Sequence, residues 1–116
     1  CGNYSEKKAE KYSELAKQIK GIVQENYHDS SLNSQRIADM IQMNNAYLGR
    51  MFKNSYGRSI NDYINTCRLE ESMRLLRQTD MSVEEIAQNV GFSNIKYFYV
   101  LFKKLTGITP ATYRAG

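Results

Sequence analysis

The chain carries the same pattern twice. Residues 37–63 read I-A-D-M-I-Q-M-N-N-A-Y-L-G-R-M-F-K-N-S-Y-G-R-S-I-N-D-Y, and residues 86–113 read I-A-Q-N-V-G-F-S-N-I-K-Y-F-Y-V-L-F-K-K-L-T-G-I-T-P-A-T-Y. Ile37-Ala38 returns as Ile86-Ala87. After one extra residue in the second turn, Tyr47-Leu48 returns as Tyr97-Phe98, Phe52-Lys53 as Phe102-Lys103, Gly57 as Gly107 and Tyr63 as Tyr113. Each copy reads as a short helix, a tight turn, a second helix and a glycine stop, which is the helix-turn-helix arrangement. In that arrangement the second helix lies in a DNA major groove, so two copies suit a chain that reads two groove segments without dimerising.

Local signals set the expected helix ends. Residues 5–27 place Tyr12, Leu15, Ala16, Ile19, Ile22, Val23 and Tyr27 on one stripe, an amphipathic first helix broken at His28-Asp29-Ser30-Ser31. His28 reads as a solvated helix-end residue. Asn33 caps a short helix over about 34–42 that buries Ile37, Ala38 and Ile41. Asn44 caps the first reading helix, with Met43 and Leu48 as a hydrophobic staple and Gly57 as the stop. Its inner face is expected to be Tyr47, Leu48, Met51 and Phe52. Ser59 with Asp62 opens a long linker helix to about Gln78, with Ile60, Tyr63, Ile64, Cys67, Met73, Leu75 and Leu76 as its apolar members. A continuous helix is a stiff spacer, which would fix the separation of the two heads. Ser82-Val-Glu-Glu85 is a capping box with Met81 and Ile86 as its staple. Gly91 fits the sharp turn, and Ser93 is expected to cap the second reading helix, with Phe92 and Tyr97 in staple positions. Tyr97, Phe98, Leu101 and Phe102 then face inward, leaving Tyr99 alone pointing away, so base stacking of the kind used by single-strand binders is not expected. Gly107 ends that helix, and Thr109-Pro110 starts a last short one near Tyr113.

The fold class expected is all-α, two helix-turn-helix units joined by a long linker helix, about seven helices in all. Residues 1–17 form an extension and the start of the first helix. Residues 18–115 form the domain, with helix-turn-helix units at about 33–57 and 82–107 and the linker helix at about 59–78. At 116 residues the chain is long enough for an unaided core. Its 41% hydrophobic and 24% charged content is ordinary for a globular protein. Cys1 stands where a Met starts a complete chain, so a piece of a longer protein is expected. No transmembrane length or signal-peptide pattern appears, which gives a cytoplasmic address, with any membrane anchor residing in the rest of the protein.

Charge carries more information than composition. Segment 44–58 holds Arg50, Lys53 and Arg58 and no acid; segment 93–114 holds Lys96, Lys103, Lys104 and Arg114 and no acid. With a chain total of +4, everything outside these seven cations is net acidic. Two acid-free segments in matching positions look like a footprint for phosphates. There is no GxGxxG, P-loop, HExxH or Ser/His/Asp set, and the two cysteines make no metal or disulfide spacing. No catalytic residue, metal or cofactor is therefore expected. An enzyme built on Cys67 is disfavoured, because the residue sits among apolar positions of the linker helix and the sequence around it offers no base or metal-ligand spacing to lower its pKa. A protein-docking module, for instance one touching RNA polymerase, gives no reason for both copies to stay basic.

The runs A-Y-L-G-R-M-F-K-N-S-Y-G-R-S-I-N-D-Y-I, C-R-L-E-E-S-M-R-L-L and S-V-E-E-I-A-Q-N-V-G-F-S-N-I-K-Y-F-Y-V-L-F-K-K-L-T-G-I-T-P-A-T-Y-R closely resemble the DNA-binding domain of the AraC/XylS family of bacterial transcription regulators. The resemblance implies a double-stranded DNA partner, a separate effector or sensor domain outside this piece, and binding of the piece as a monomer. It places Asn45, Ala46, Gly49 and Arg50 toward the groove from the first reading helix, with Asn44 and Lys53 nearer the backbone. From the second it places Asn94, Ile95, Lys96, Tyr99 and Val100 toward the groove and Lys103 near the backbone. Gly49 offers no side chain where members often place a polar reader. Val100 stands where arginine is common and offers only apolar contact, for example with a thymine methyl. The wording K-Y-F, with Y-H-D-S-S-L before it, looks most like regulators joined to sensor or receiver domains.

Overall fold

A computed structural model describes the backbone of residues 4–116 and the side chains of residues 14–116; Cys1 and the Tyr12 ring of the expected stripe lie outside the described parts. The described residues form seven helices and no strand: α1 Tyr4–Asn26, α2 Ser34–Met40, α3 Asn45–Tyr56, α4 Ile60–Gln78, α5 Val83–Asn89, α6 Ile95–Thr106 and α7 Pro110–Ala115. The all-α expectation holds. The chain divides into two compact units, each built around one helix-turn-helix. One comprises the chain up to Asn26 with Leu32–Ile64, and the other Tyr27–Ser31 with Asn65–Gly116. No described helix is long and apolar enough to cross a membrane.

In the first unit, Ala16, Ile19 and Val23 of α1 are buried together with Ile37 and Ala38 of α2, Leu48, Met51 and Phe52 of α3, and Ile60, Tyr63 and Ile64 at the start of α4. Each fully buried Leu, Ile or Phe contributes about 1.5–3 kcal/mol. The Phe52, Tyr56 and Tyr63 rings cluster with centroids 5.1–5.9 Å apart, Tyr56 and Tyr63 edge against face and Phe52 tilted against both, and the Lys20 ammonium stands 4.6 Å from the Tyr56 ring centroid. Helix α2 stops at Met40, earlier than expected, because Gln42 turns left-handed at φ 56°. That turn leaves Ile41 only half-buried.

The second unit packs Leu69, Leu76, Ile86, Ala87, Val90, Phe92, Phe98 and Phe102 into its core. Leu69 was absent from the expected apolar set, and Cys67, expected to be buried, is half-exposed. A charged residue is buried instead. Arg68 donates from Nε to the Tyr27 carbonyl (2.7 Å) and from Nη2 to the Asp29 carbonyl (2.9 Å), and its guanidinium lies 5.7 Å from the Phe92 ring centroid. Burial pushes its pKa down and the Asp29 charge opposes the shift; arginine starts so high that the group stays cationic. Gly91, at φ 109°, passes directly over this junction. At the far end Arg114 donates to the Leu76, Thr79 and Met81 carbonyls, closing the C-terminus of α4.

Candidate nucleic-acid interface

The two reading helices begin and end by the same local chemistry. Asn44 Oδ1 accepts from the Tyr47 amide at 3.0 Å and opens α3. Asn94 Oδ1 accepts from the Lys96 amide at 3.0 Å and the Tyr97 amide at 3.2 Å and opens α6. The expected cap at Ser93 is therefore wrong by one residue. The signal for Asn94 lay in the duplication: the register that pairs Tyr47 with Tyr97 also pairs Asn44 with Asn94, leaving Ser93 as the inserted turn residue. With the cap at Asn94, Phe92 stands one position farther from it than a staple residue, yet the expected Phe92–Tyr97 contact is present, edge-on with ring centroids 6.3 Å apart, and Phe92 also packs on Phe98 at 5.2 Å. Both helices end in left-handed glycines, Gly57 at φ 89° and Gly107 at φ 81°.

Their buried sides are narrower than expected. Leu48, Met51 and Phe52 are buried in α3, and Phe98 and Phe102 in α6. Tyr47 and Tyr97, both expected inside, are 37% and 49% exposed. Helical geometry explains this, since Tyr97 stands about 100° around the axis from Phe98 and farther from Phe102. Tyr99 is not the single outward aromatic. Its neighbour Tyr97 is held at the surface, where its hydroxyl accepts from Asn65 Nδ2 at 3.3 Å.

The residues that the resemblance assigns to the groove fall mostly on one exposed face of each helix. Ala46, Arg50 and Lys53 are exposed on α3, with Asn45 and Gly49 half-exposed beside them. Lys96, Tyr99, Val100 and Lys103 are exposed on α6. Ile95 is the exception, half-buried and packed against the core of the second unit. Asn44 and Asn94 are exposed but spend their side-chain oxygens on caps, leaving their amide NH₂ groups as donors. Around Gly49 an added Cβ would meet nothing within 4 Å, so the face there is open. Among the seven basic residues of the two acid-free segments, Arg114 is spent on the carbonyls of Leu76 in α4 and of Thr79 and Met81 just after it. That leaves Arg50, Lys53, Arg58, Lys96, Lys103 and Lys104 as solvent-facing cations. Among the described residues, no group of three or more His, Cys, Asp or Glu is arranged to hold a metal.

Over residues 37–116 the chain matches a family described as a helix-turn-helix domain. It is similar to the transcriptional regulatory protein YesN of Bacillus subtilis, with 45% identity over 78 residues that cover 66% of this chain and 21% of that protein. The chain thus spans about a fifth of the length of that relative. Its fold is similar to the C-terminal domain of the two-component response regulator yesN from Fusobacterium nucleatum, with TM-score 0.81 and 36% identity over 84% of this chain and 95% of that one. It is also similar to the DNA-binding domain of the global transcriptional factor AdpA, solved in complex with a target DNA, with TM-score 0.80 and 26% identity over 86% and 89% of the two chains.

Proposed function

The chain belongs to the AraC/XylS family of DNA-binding transcription regulators, and from that premise we propose that it binds duplex DNA sequence-specifically, laying α3 and α6 into successive major-groove segments. The observation that carries this reading is the pair of matched faces. Both are capped by asparagine, both end in a left-handed glycine, both carry lysine at the Lys53/Lys103 position, and neither holds an acid. Arg50 is the base reader of the first face, its forked donor suited to guanine O6 and N7. Lys53 and Lys103 contact phosphate, and Val100 and Tyr99 supply apolar contact in the second face. In the whole protein, regions outside this chain add the sensing function.

The testing experiment is a salt titration of binding to a selected duplex and to random duplex. With one phosphate for each of the six solvent-facing cations of the two segments, the slope of log affinity against log salt should be negative and about −5. Arg50→Ala should cost about 1–3 kcal/mol on the selected site and much less on random DNA, whereas Lys53→Ala should weaken both alike and lower the slope by about 1. A flat salt response, or equal losses from Arg50→Ala on both duplexes, rejects the assignment.

The site bound should be asymmetric, with two short blocks centred about 10 base pairs apart. Helix α4 is unbroken from Ile60 to Gln78 and contributes residues to both units, so the connection is not a coil that can lengthen. Inserting about five base pairs between the blocks turns the second to the opposite side of the duplex and should cost about 2–3 kcal/mol of specific affinity. Gel-shift binding that tolerates the insertion would mean that a single head reads.

A further inference from the structure

We propose that Tyr97 contacts the DNA backbone, its phenolic hydroxyl donating to a phosphate oxygen, and that Asn65 is the positioning residue that aims it. This rests on the DNA-binding reading above and adds to it a donor that carries no charge. Tyr97 is 49% exposed although it is aromatic and lies in the first turn of α6. Its ring meets Phe92 edge-on, centroids 6.3 Å apart at 72°, which seats the base of the side chain. Its hydroxyl accepts from Asn65 Nδ2 at 3.3 Å. A phenol has a single proton to donate. With Asn65 supplying a donor, the Tyr97 proton is turned away from Asn65 toward an acceptor beyond the protein.

The acceptor that fits is a phosphate oxygen. Base edges in the major groove mix donors and acceptors from pair to pair, whereas the backbone presents acceptors at every step, and tyrosine is among the side chains that donate to it. Position on the helix agrees. Tyr97 and Lys104 stand two turns apart along one edge of α6, Lys96 and Lys103 two turns apart along the other, and Val100 lies between them. A helix seated in a groove turns its centre to the bases and its edges to the two flanking strands. Tyr97 thus belongs to an edge, beside a lysine, and Tyr47 takes the matched position on α3 at 37% exposure.

The test is binding of Tyr97→Phe, Asn65→Ala and the double variant to the selected duplex and to random duplex, by fluorescence anisotropy across salt, with circular dichroism confirming the fold of each. Tyr97→Phe keeps the ring and removes only the hydroxyl. It should weaken both duplexes alike, roughly tenfold, with the salt slope unchanged because no counterion-releasing charge is lost. Lys53→Ala, by contrast, lowers the slope. Asn65→Ala should weaken binding in the same way but less, and should have no further effect in the Tyr97→Phe background. Wild-type affinity in Tyr97→Phe, a loss confined to the selected sequence, a changed salt slope, or fully additive losses in the double variant would each overturn the proposal. If the unaltered chain binds no duplex at all, the DNA-binding reading falls first; if it binds and Tyr97→Phe binds equally, only this inference falls.

Discussion

Gly91→Ala should cost about 4 kcal/mol or more in the unit that holds α5–α7, an effect reached by few single substitutions. Two terms combine. At φ 109° the backbone lies where a Cβ is strained, a cost of order 1–3 kcal/mol. The added Cβ would also fall 2.4 Å from the Tyr27 carbonyl oxygen and 2.8 Å from Arg68 Nε. Neither neighbour is free to retreat, because those two atoms are hydrogen-bonded to each other at 2.7 Å. Gln42, at the matched turn of the first unit, has φ 56°, inside the ordinary left-handed region, and so accommodates a side chain. Gly49→Ala is the control: it adds a methyl into open space on a helix and should raise stability by up to about 1 kcal/mol. Chemical denaturation followed by circular dichroism reads all three proteins. A Gly91→Ala midpoint close to that of the unaltered chain would show that the turn can relax, contrary to this account.

Arg68→Met should cost about 2–4 kcal/mol, and Arg68→Lys less. Methionine fills much of the same volume, so the loss isolates the hydrogen bonds rather than a cavity. It leaves the Tyr27 and Asp29 carbonyls without the guanidinium that now bridges them, and removes the cation from the Phe92 ring. Lysine keeps the charge but presents a single ammonium where a planar fork serves two carbonyls. The guanidinium stays protonated despite its lowered pKa, so the loss should be the same at pH 6 and pH 8. A stability difference that changes strongly between those values, or Arg68→Lys matching Arg68→Met, would assign the stabilisation to another group.

The same junction shows why some of this chain was legible in advance and some was not. The asparagine, serine and threonine caps, the left-handed glycines and the duplicated register were all visible, and even the misplaced cap at Ser93 was correctable from the repeat. The residues assigned to the two faces came from the family resemblance, and apart from Ile95 they are exposed or half-exposed. Tyr47 and Tyr97 were misjudged because an apolar ring at helical spacing reads as core, although the core stripe spans only about 100°. Arg114 falls among the seven cations of the two acid-free segments because nothing within its own segment says that its donors are taken by the Leu76, Thr79 and Met81 carbonyls.

Sequence by itself determined the helices and most of their ends, because each depends on atoms a few residues apart. Asn33, Ser82 and Thr109 cap amides three positions on, and Gly57 and Gly107 close onto carbonyls four positions back. Tertiary structure decided which of many similar polar residues are structural. Arg68 meets Tyr27 across 41 residues, Arg114 meets Leu76 across 38, and Asn65 meets Tyr97 across 32. Local periodicity assigns a residue to a face of its helix, but which carbonyl or hydroxyl arrives opposite that face depends on how the helices pack. Burial then turns an ordinary arginine into the residue that holds a turn closed, since a desolvated carbonyl left without a donor costs more than an exposed one.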